Sequence, residues 1–268
     1  MLNQFFFLMN DWQILLVIPA LSLIGLFLVV RLLHLLAARH RGFDYDADII
    51  DTATQNTMSG AFVILSFSFV LVMGNVDKFD VEVTREASQI HVMDRMLELD
   101  GSPAATAERH RLLAYTESLV KDEWPMLGEA RGNRTSVKLL DEFLERLKDL
   151  KQQGSSVRDG LFVEIVKQSG EIVQSRDTRI LNAGTHLPGL FWIVNLISLL
   201  VVIVVGALRL AQPSPSRVIV IAAQIIMINL LFSAVLIIDN PFKGETRISS
   251  WPLQRSVEKI RASLETGT

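Results

Sequence analysis

Four stretches of this chain contain no Asp, Glu, Lys or Arg: Trp12–Val30, Met58–Val76, Gly189–Leu208 and Val218–Ile238. Each has about 19 to 21 residues, enough at 1.5 Å per residue to cross roughly 30 Å of hydrocarbon as an α-helix. Soluble helices rarely run this long without a polar face. The blocks therefore predict an all-α polytopic membrane protein with four spans, and they exclude a simple soluble domain. Span one is not read as a cleaved signal peptide, because no Lys or Arg precedes it and Arg31, Arg39 and Arg41 follow it.

The connections group the spans. About 27 residues separate spans one and two, and nine separate spans three and four, whereas about 110 lie between spans two and three. That long segment carries 16 basic and 20 acidic side chains between Asp77 and Pro188, so it belongs in water. The expected organisation is a first transmembrane hairpin (1–76), a helical aqueous domain (77–187), a second hairpin (188–238) and a tail (239–268). In the tail, Leu253, Val257, Ile260 and Leu264 share one face of a short amphipathic helix, suited to a membrane surface or to the aqueous domain.

Local signals place the helices of the aqueous segment. No breaker separates span two from Leu99, so one long helix is expected to leave the membrane. Gly101-Ser102-Pro103 stops it and starts the next, with Ser102 as N-cap and Pro103 at the first helical position. That helix is expected to end before Pro125, with Gly128 and Gly132 marking a loop. Leu139, Leu140, Phe143, Leu144, Leu147 and Leu150 form a helical stripe. Gly154-Ser155-Ser156 reads as a turn with a Ser156–Asp159 capping pair, and a last helix is expected to run into span three. Asn240-Pro241 ends span four.

Composition removes several kinds of chemistry. There is no cysteine, hence no disulfide, thiolate metal site or cysteine nucleophile. With 26 basic against 29 acidic residues, there is no surplus for nucleic acid. The five histidines form no metal-binding pair, and no phosphate-binding or nucleophile motif occurs. Asp44-x-Asp46-x-Asp48 begins like a calcium loop, but Ile49 stands where the turn needs glycine and Gln55 where the loop needs its closing Glu. We expect no metal, no cofactor and no enzyme activity.

Two constellations remain. In span two, Ser59, Phe62, Ser66, Phe69 and Met73 recur at helical spacing, a face of hydroxyls and phenyl rings suited to a narrow apolar pore. A neighbouring face, Asn56, Ser59, Val63, Ser66 and Val70, competes for that role, and helix packing is the plainer account of small residues in a span. At the membrane edge, Glu86, Arg176, Arg179 and Asp239 flank spans two to four and are candidates for a charge network. Ordinary surface ion pairs account for them equally.

Residues spread along the chain carry a resemblance. They are Asn56-x-x-x-Gly60, Glu86-Ala87, Tyr115 with Glu123-Trp124-Pro125, Arg176-Asp177-x-Arg179, Pro188-x-x-x-Trp192 and Asp239-x-Pro241-Phe242-x-Gly244. From about residue 55 to 255 the sequence resembles the bestrophin-like family of four-span membrane proteins, distantly similar to bestrophin anion channels. The resemblance implies a homopentamer in the lipid bilayer, conduction of inorganic anions, and span two lining a central pore with Phe62, Ser66 and Phe69 as its neck. It also implies a cytoplasmic helical domain, here in a bacterial inner membrane. The acidic cluster with which bestrophins bind calcium has no counterpart, so calcium gating is not carried over. A sensor or scaffold whose helical domain binds a ligand or partner, with no pore, is the alternative.

Charge alone does not orient the chain. The hairpin loops hold five basic residues (31, 39, 41, 209, 217) and the C-terminal tail another five (243, 247, 255, 259, 261). A cysteine placed at Gln152 discriminates, with no native thiol to interfere. On intact cells it should resist a membrane-impermeant thiol reagent and react after permeabilisation. Reaction on intact cells places the domain outside.

Overall fold

The computed structural model describes residues 9–39, 47–150, 159–211, 213–242 and 248–266. The Asp44–Asp46 segment, the 154–156 turn and Gly244 lie outside them. The described residues are helical throughout their regular structure, in eight α-helices. These are α1 (Asp11–Arg39), α2 (Ala47–Asp100), α3 (Pro103–Ser118), α4 (Arg134–Leu150), α5 (Asp159–Ala183), α6 (Gly189–Arg209), α7 (Pro215–Ile238) and α8 (Trp251–Thr266). Spans one to four fall in α1, α2, α6 and α7. The chain forms two compact units, Met1–Gly74 with His186–Thr246, and Asn75–Thr185 with Arg247–Thr268.

In the first unit, α1 lies close along α6 and α7. Lipid is as apolar as leucine, so tight fit and hydrogen bonds hold such helices together rather than exclusion of water. Gly206 supplies the fit. A β-carbon there would stand 3.3 Å from Ile221, and 3.6 Å from both Ile225 and Leu26. The Ser22 hydroxyl donates to Asn229 Oδ1 at 2.7 Å, and the Asn229 amide turns back to the Ile225 carbonyl at 2.8 Å. Pro19 stays inside a continuous α1. By contrast, α2 has few close backbone approaches to the other spans among the described residues. It meets them through the side chains of Thr54, Met58, Ala61, Leu65, Ser68 and Val72, which are buried at alternating steps of four and three.

The second unit is built on the rest of α2. Phe79, Val83, Ala87, Ile90, Met93 and Leu97 are its buried stripe. Gly101, at φ +66°, ends the helix in the left-handed region that glycine tolerates. Ser102 then caps α3 by accepting from the Ala105 N–H at 3.1 Å, with Pro103 in the first turn. In α4, Leu140, Phe143 and Leu147 point inward. The tail helix α8 belongs to this unit and not to a separate tail. It packs on α3 through buried Leu253, Val257, Ile260 and Leu264, and Ser256 donates to the Ala87 carbonyl at 3.2 Å.

Two local expectations are corrected. The segment after α3 does not end before Pro125. It widens into one π-turn (Leu119–Glu123) and continues as a 3-10 helix (Trp124–Glu129) that includes Gly128. Pro125 sits in the first turn of that 3-10 helix, where its missing N–H is not needed. The last helix of the aqueous segment does not run into span three. It stops at Ala183, and the chain restarts at Gly189 after an extended Pro188. The helix α5 is continuous through Gly170.

Two glycines test this packing with opposite signs. Gly206→Leu should lower stability by about 1–3 kcal/mol through overpacking. Gly170→Ala should raise it by roughly 0.5–1 kcal/mol, because a β-carbon at this mid-helix glycine meets nothing within 4 Å. Unfolding of the purified protein in detergent, followed by circular dichroism, measures both.

Candidate functional site

Glu86 faces the interior of the second unit from α2. Arg176 and Arg179, three residues apart, occupy one face of α5, and Glu123 closes the π-turn. The structure brings these four together. Arg179 donates through Nε to Glu86 Oε2 at 2.5 Å and through Nη2 to Glu86 Oε1 at 3.3 Å. The same Nη2 donates to Glu123 Oε1 at 2.6 Å. Glu123 Oε2 accepts from Arg176 Nη2 and, at 3.0 Å, from the Asn133 N–H. Trp124 lies beside Arg179, the guanidinium carbon 6.0 Å from its ring centroid, and Phe79 meets Trp124 edge-on at 6.2 Å.

Two carboxylates and two guanidinium groups make the cluster formally neutral. Glu86, Glu123 and Arg179 are 0% exposed and Arg176 is 6% exposed. Burial alone would favour deprotonated Arg179, but the Glu86 and Glu123 carboxylates outweigh it and hold the guanidinium above its ordinary pKa. Burial pushes the Tyr115 phenol well above its ordinary pKa, so it stays neutral. The backbone must also leave room. A β-carbon on Gly132 would stand 2.9 Å from Arg176 Nη2 and 3.0 Å from Ile180 Cδ1. These charges are not surface ion pairs: they are the polar centre of this unit.

Asp239 belongs to the other unit and has its own partners. Its Oδ1 accepts from the Leu187 N–H at 2.6 Å, and His186 Nδ1 lies 2.8 Å from its backbone carbonyl. Burial raises its carboxyl above the usual range. Pro241 and Phe242 are half-buried in the turn after α7.

The span-two candidates divide by azimuth. On a helix advancing about 100° per residue, Asn56, Val63 and Val70 stand opposite the buried stripe. They are exposed, with Val63 at 53% and Val70 at 65%. Ser59 is on the edge of this face, and Gly60 on its other edge has open space within 4 Å. Phe62, Ser66 and Phe69 lie on the flank. Ser66 donates to the Phe62 carbonyl at 2.8 Å, and Phe69 packs on the cluster of Val72, Leu187 and Val235. The flank is therefore partly occupied within one chain, and the Asn56–Val63–Val70 face is not.

Sequence reading missed three features. Glu123 stood out as part of a motif and not as the bridge between two arginines, since nothing local links it to Glu86 or α5. Tyr115 and Gly132 carried no sign of burial beside the charges. Asn195 and Asn229 were legible as amides inside apolar blocks, where an unpartnered amide is costly.

A family model described as the bestrophin-like domain matches residues 16–253. The fold is similar to a crystal structure of a membrane protein with a proline-to-alanine substitution, at 11% identity and TM-score 0.66, covering 94% of this chain and 98% of that one. It is also similar to one with a glycine-to-alanine substitution, at 12% identity and TM-score 0.62, covering 95% and 97%. No curated protein sequence matches.

Removing one partner of a buried ion pair leaves an uncompensated charge, so Arg179→Glu should cost about 3–5 kcal/mol. Combining it with Glu86→Arg should restore part of that loss and not all, because the new carboxylate faces Glu123. A double-mutant cycle on thermal unfolding measures the coupling, and strictly additive losses would mean that the two positions do not interact.

Proposed function

This chain belongs to the bestrophin-like family, and from that premise we propose that it is a homo-oligomeric ion channel whose subunits line a central pore with span two. One observation carries the reading. Span two is the helix least closely packed on the other spans, and it keeps an unoccupied face, Asn56–Val63–Val70, along the bilayer. The conduit is therefore proposed between subunits, with several copies of that face surrounding it. The assembly is proposed as a pentamer in a bacterial inner membrane, with the helical unit in the cytoplasm.

The family likeness, rather than a charge on this face, supports an anion as the proposed cargo. Rings of Asp or Glu select cations and rings of Arg or Lys select anions. From Asn56 to Val76 span two has neither, only amide, hydroxyl and apolar groups. Val63 and Val70 are the proposed apolar neck on this azimuth, with Phe62, Ser66 and Phe69 beside it. Such a constriction closes by expelling water, without a moving gate.

Purified protein in liposomes should dissipate an imposed chloride gradient, and Val63→Asp should raise the ratio of cation to anion flux by hydrating the neck. Particles in detergent should have several times the subunit mass. Folded protein that passes no ion at any voltage or pH, or that is monomeric by mass photometry, leaves the sensor or scaffold reading in its place.

A further inference from the structure

The packed face of span two is nearly featureless. Met58, Ala61, Leu65 and Val72 make apolar contacts, which are non-directional and fix a helix azimuth weakly. Thr54 donates within its own helix, to Ile50 at 2.7 Å, as Ser66 does to Phe62. Asp51 pairs with Arg209 at the head of α2, but the Asp51 side chain is 41% exposed and holds that end loosely.

Ser68 differs. It is 0% exposed, and so is Asn195 of α6. Asn195 Nδ2 donates to Ser68 Oγ at 2.9 Å, and the Ser68 hydroxyl has both the Ile64 carbonyl and Asn195 Oδ1 at 3.2 Å. A hydrogen bond is directional, and hydrocarbon offers neither group a water molecule in exchange. Ser68 lies on the packed side of the helix, five residues beyond Val63 and two before Val70. Any rotation that brought the Phe62–Ser66–Phe69 flank outward would swing the hydroxyl away from the amide.

We propose that Ser68 and Asn195 are positioning residues that lock the azimuth of span two, selecting the Asn56–Val63–Val70 face for the conduction path. This rests on the channel reading above. It assigns a role to two side chains that touch no ion. Loss of the bond frees the helix to rotate and replaces one pore lining with a mixture of two.

The chain has no cysteine, so spin labels can be attached singly through Phe62→Cys or Val63→Cys. Collision with oxygen and with a water-soluble nickel chelate then reports the surroundings of each position in liposomes. The two sites are about 100° apart, so Ser68→Ala should change the ratio of their chelate accessibilities, or of their oxygen accessibilities, by about twofold or more. Asn195→Leu should do the same, and Ser68→Thr, which keeps a hydroxyl, should restore the original ratio. Unchanged ratios in both Ser68→Ala and Asn195→Leu overturn the lock. If the ratios change but the chelate reaches neither position, the lock stands and the channel reading falls. If the chelate reaches Val63 while the ratios never move, the reverse holds.

Discussion

A buried arginine needs a counter-charge, and Arg179 has two. Its guanidinium binds Glu86 on α2 and Glu123 on the π-turn, and Glu123 in turn holds Arg176 and the Asn133 N–H. Apolar packing alone would let these segments slide. Fixed donors and acceptors in a dry interior admit few registers, because each displaced partner leaves a charge uncompensated. The widened turn at Leu119–Glu123 has a reason in these terms, since it delivers Glu123 to the arginines. Gly132 has another, since any side chain there would displace Arg176.

The membrane unit applies the same rule without charge. Three helices, α1, α6 and α7, fit closely around Gly206 and the Ser22–Asn229 hydrogen bond. The fourth, α2, is attached through side chains and has one buried polar tie, Ser68 to Asn195, within its apolar stretch among the described residues. A span held this way keeps one side for its neighbours and leaves the other for whatever surrounds the subunit. Its length follows from the absence of any helix breaker between Ala47 and Asp100, a rise of about 80 Å.

Much of this architecture was legible in the residues. Charge-free blocks gave the four spans, because a charge in hydrocarbon is too costly to hide. Gly101-Ser102-Pro103 gave a helix end and a helix start, because each residue acts through its own backbone. The tail stripe at Leu253, Val257, Ile260 and Leu264 gave a helix with one apolar face, though not the surface that covers it. What escaped depends on distant partners. Glu123 meets Arg179 across 56 positions, and no local pattern announces that pairing. The two faces of span two share residues and differ by a fraction of a turn, so periodicity could not choose between them. Packing of Phe69 against Leu187 and Val235 distinguishes them.

The account turns on span two bordering a space shared between subunits. The most direct measurement is an electron cryomicroscopy map of the purified particle in lipid nanodiscs, at a resolution that distinguishes side chains. The account predicts rotational symmetry with Val63 and Val70 of every subunit facing a hollow axis. A map with these valines against lipid, or with no axial space between subunits, would contradict it.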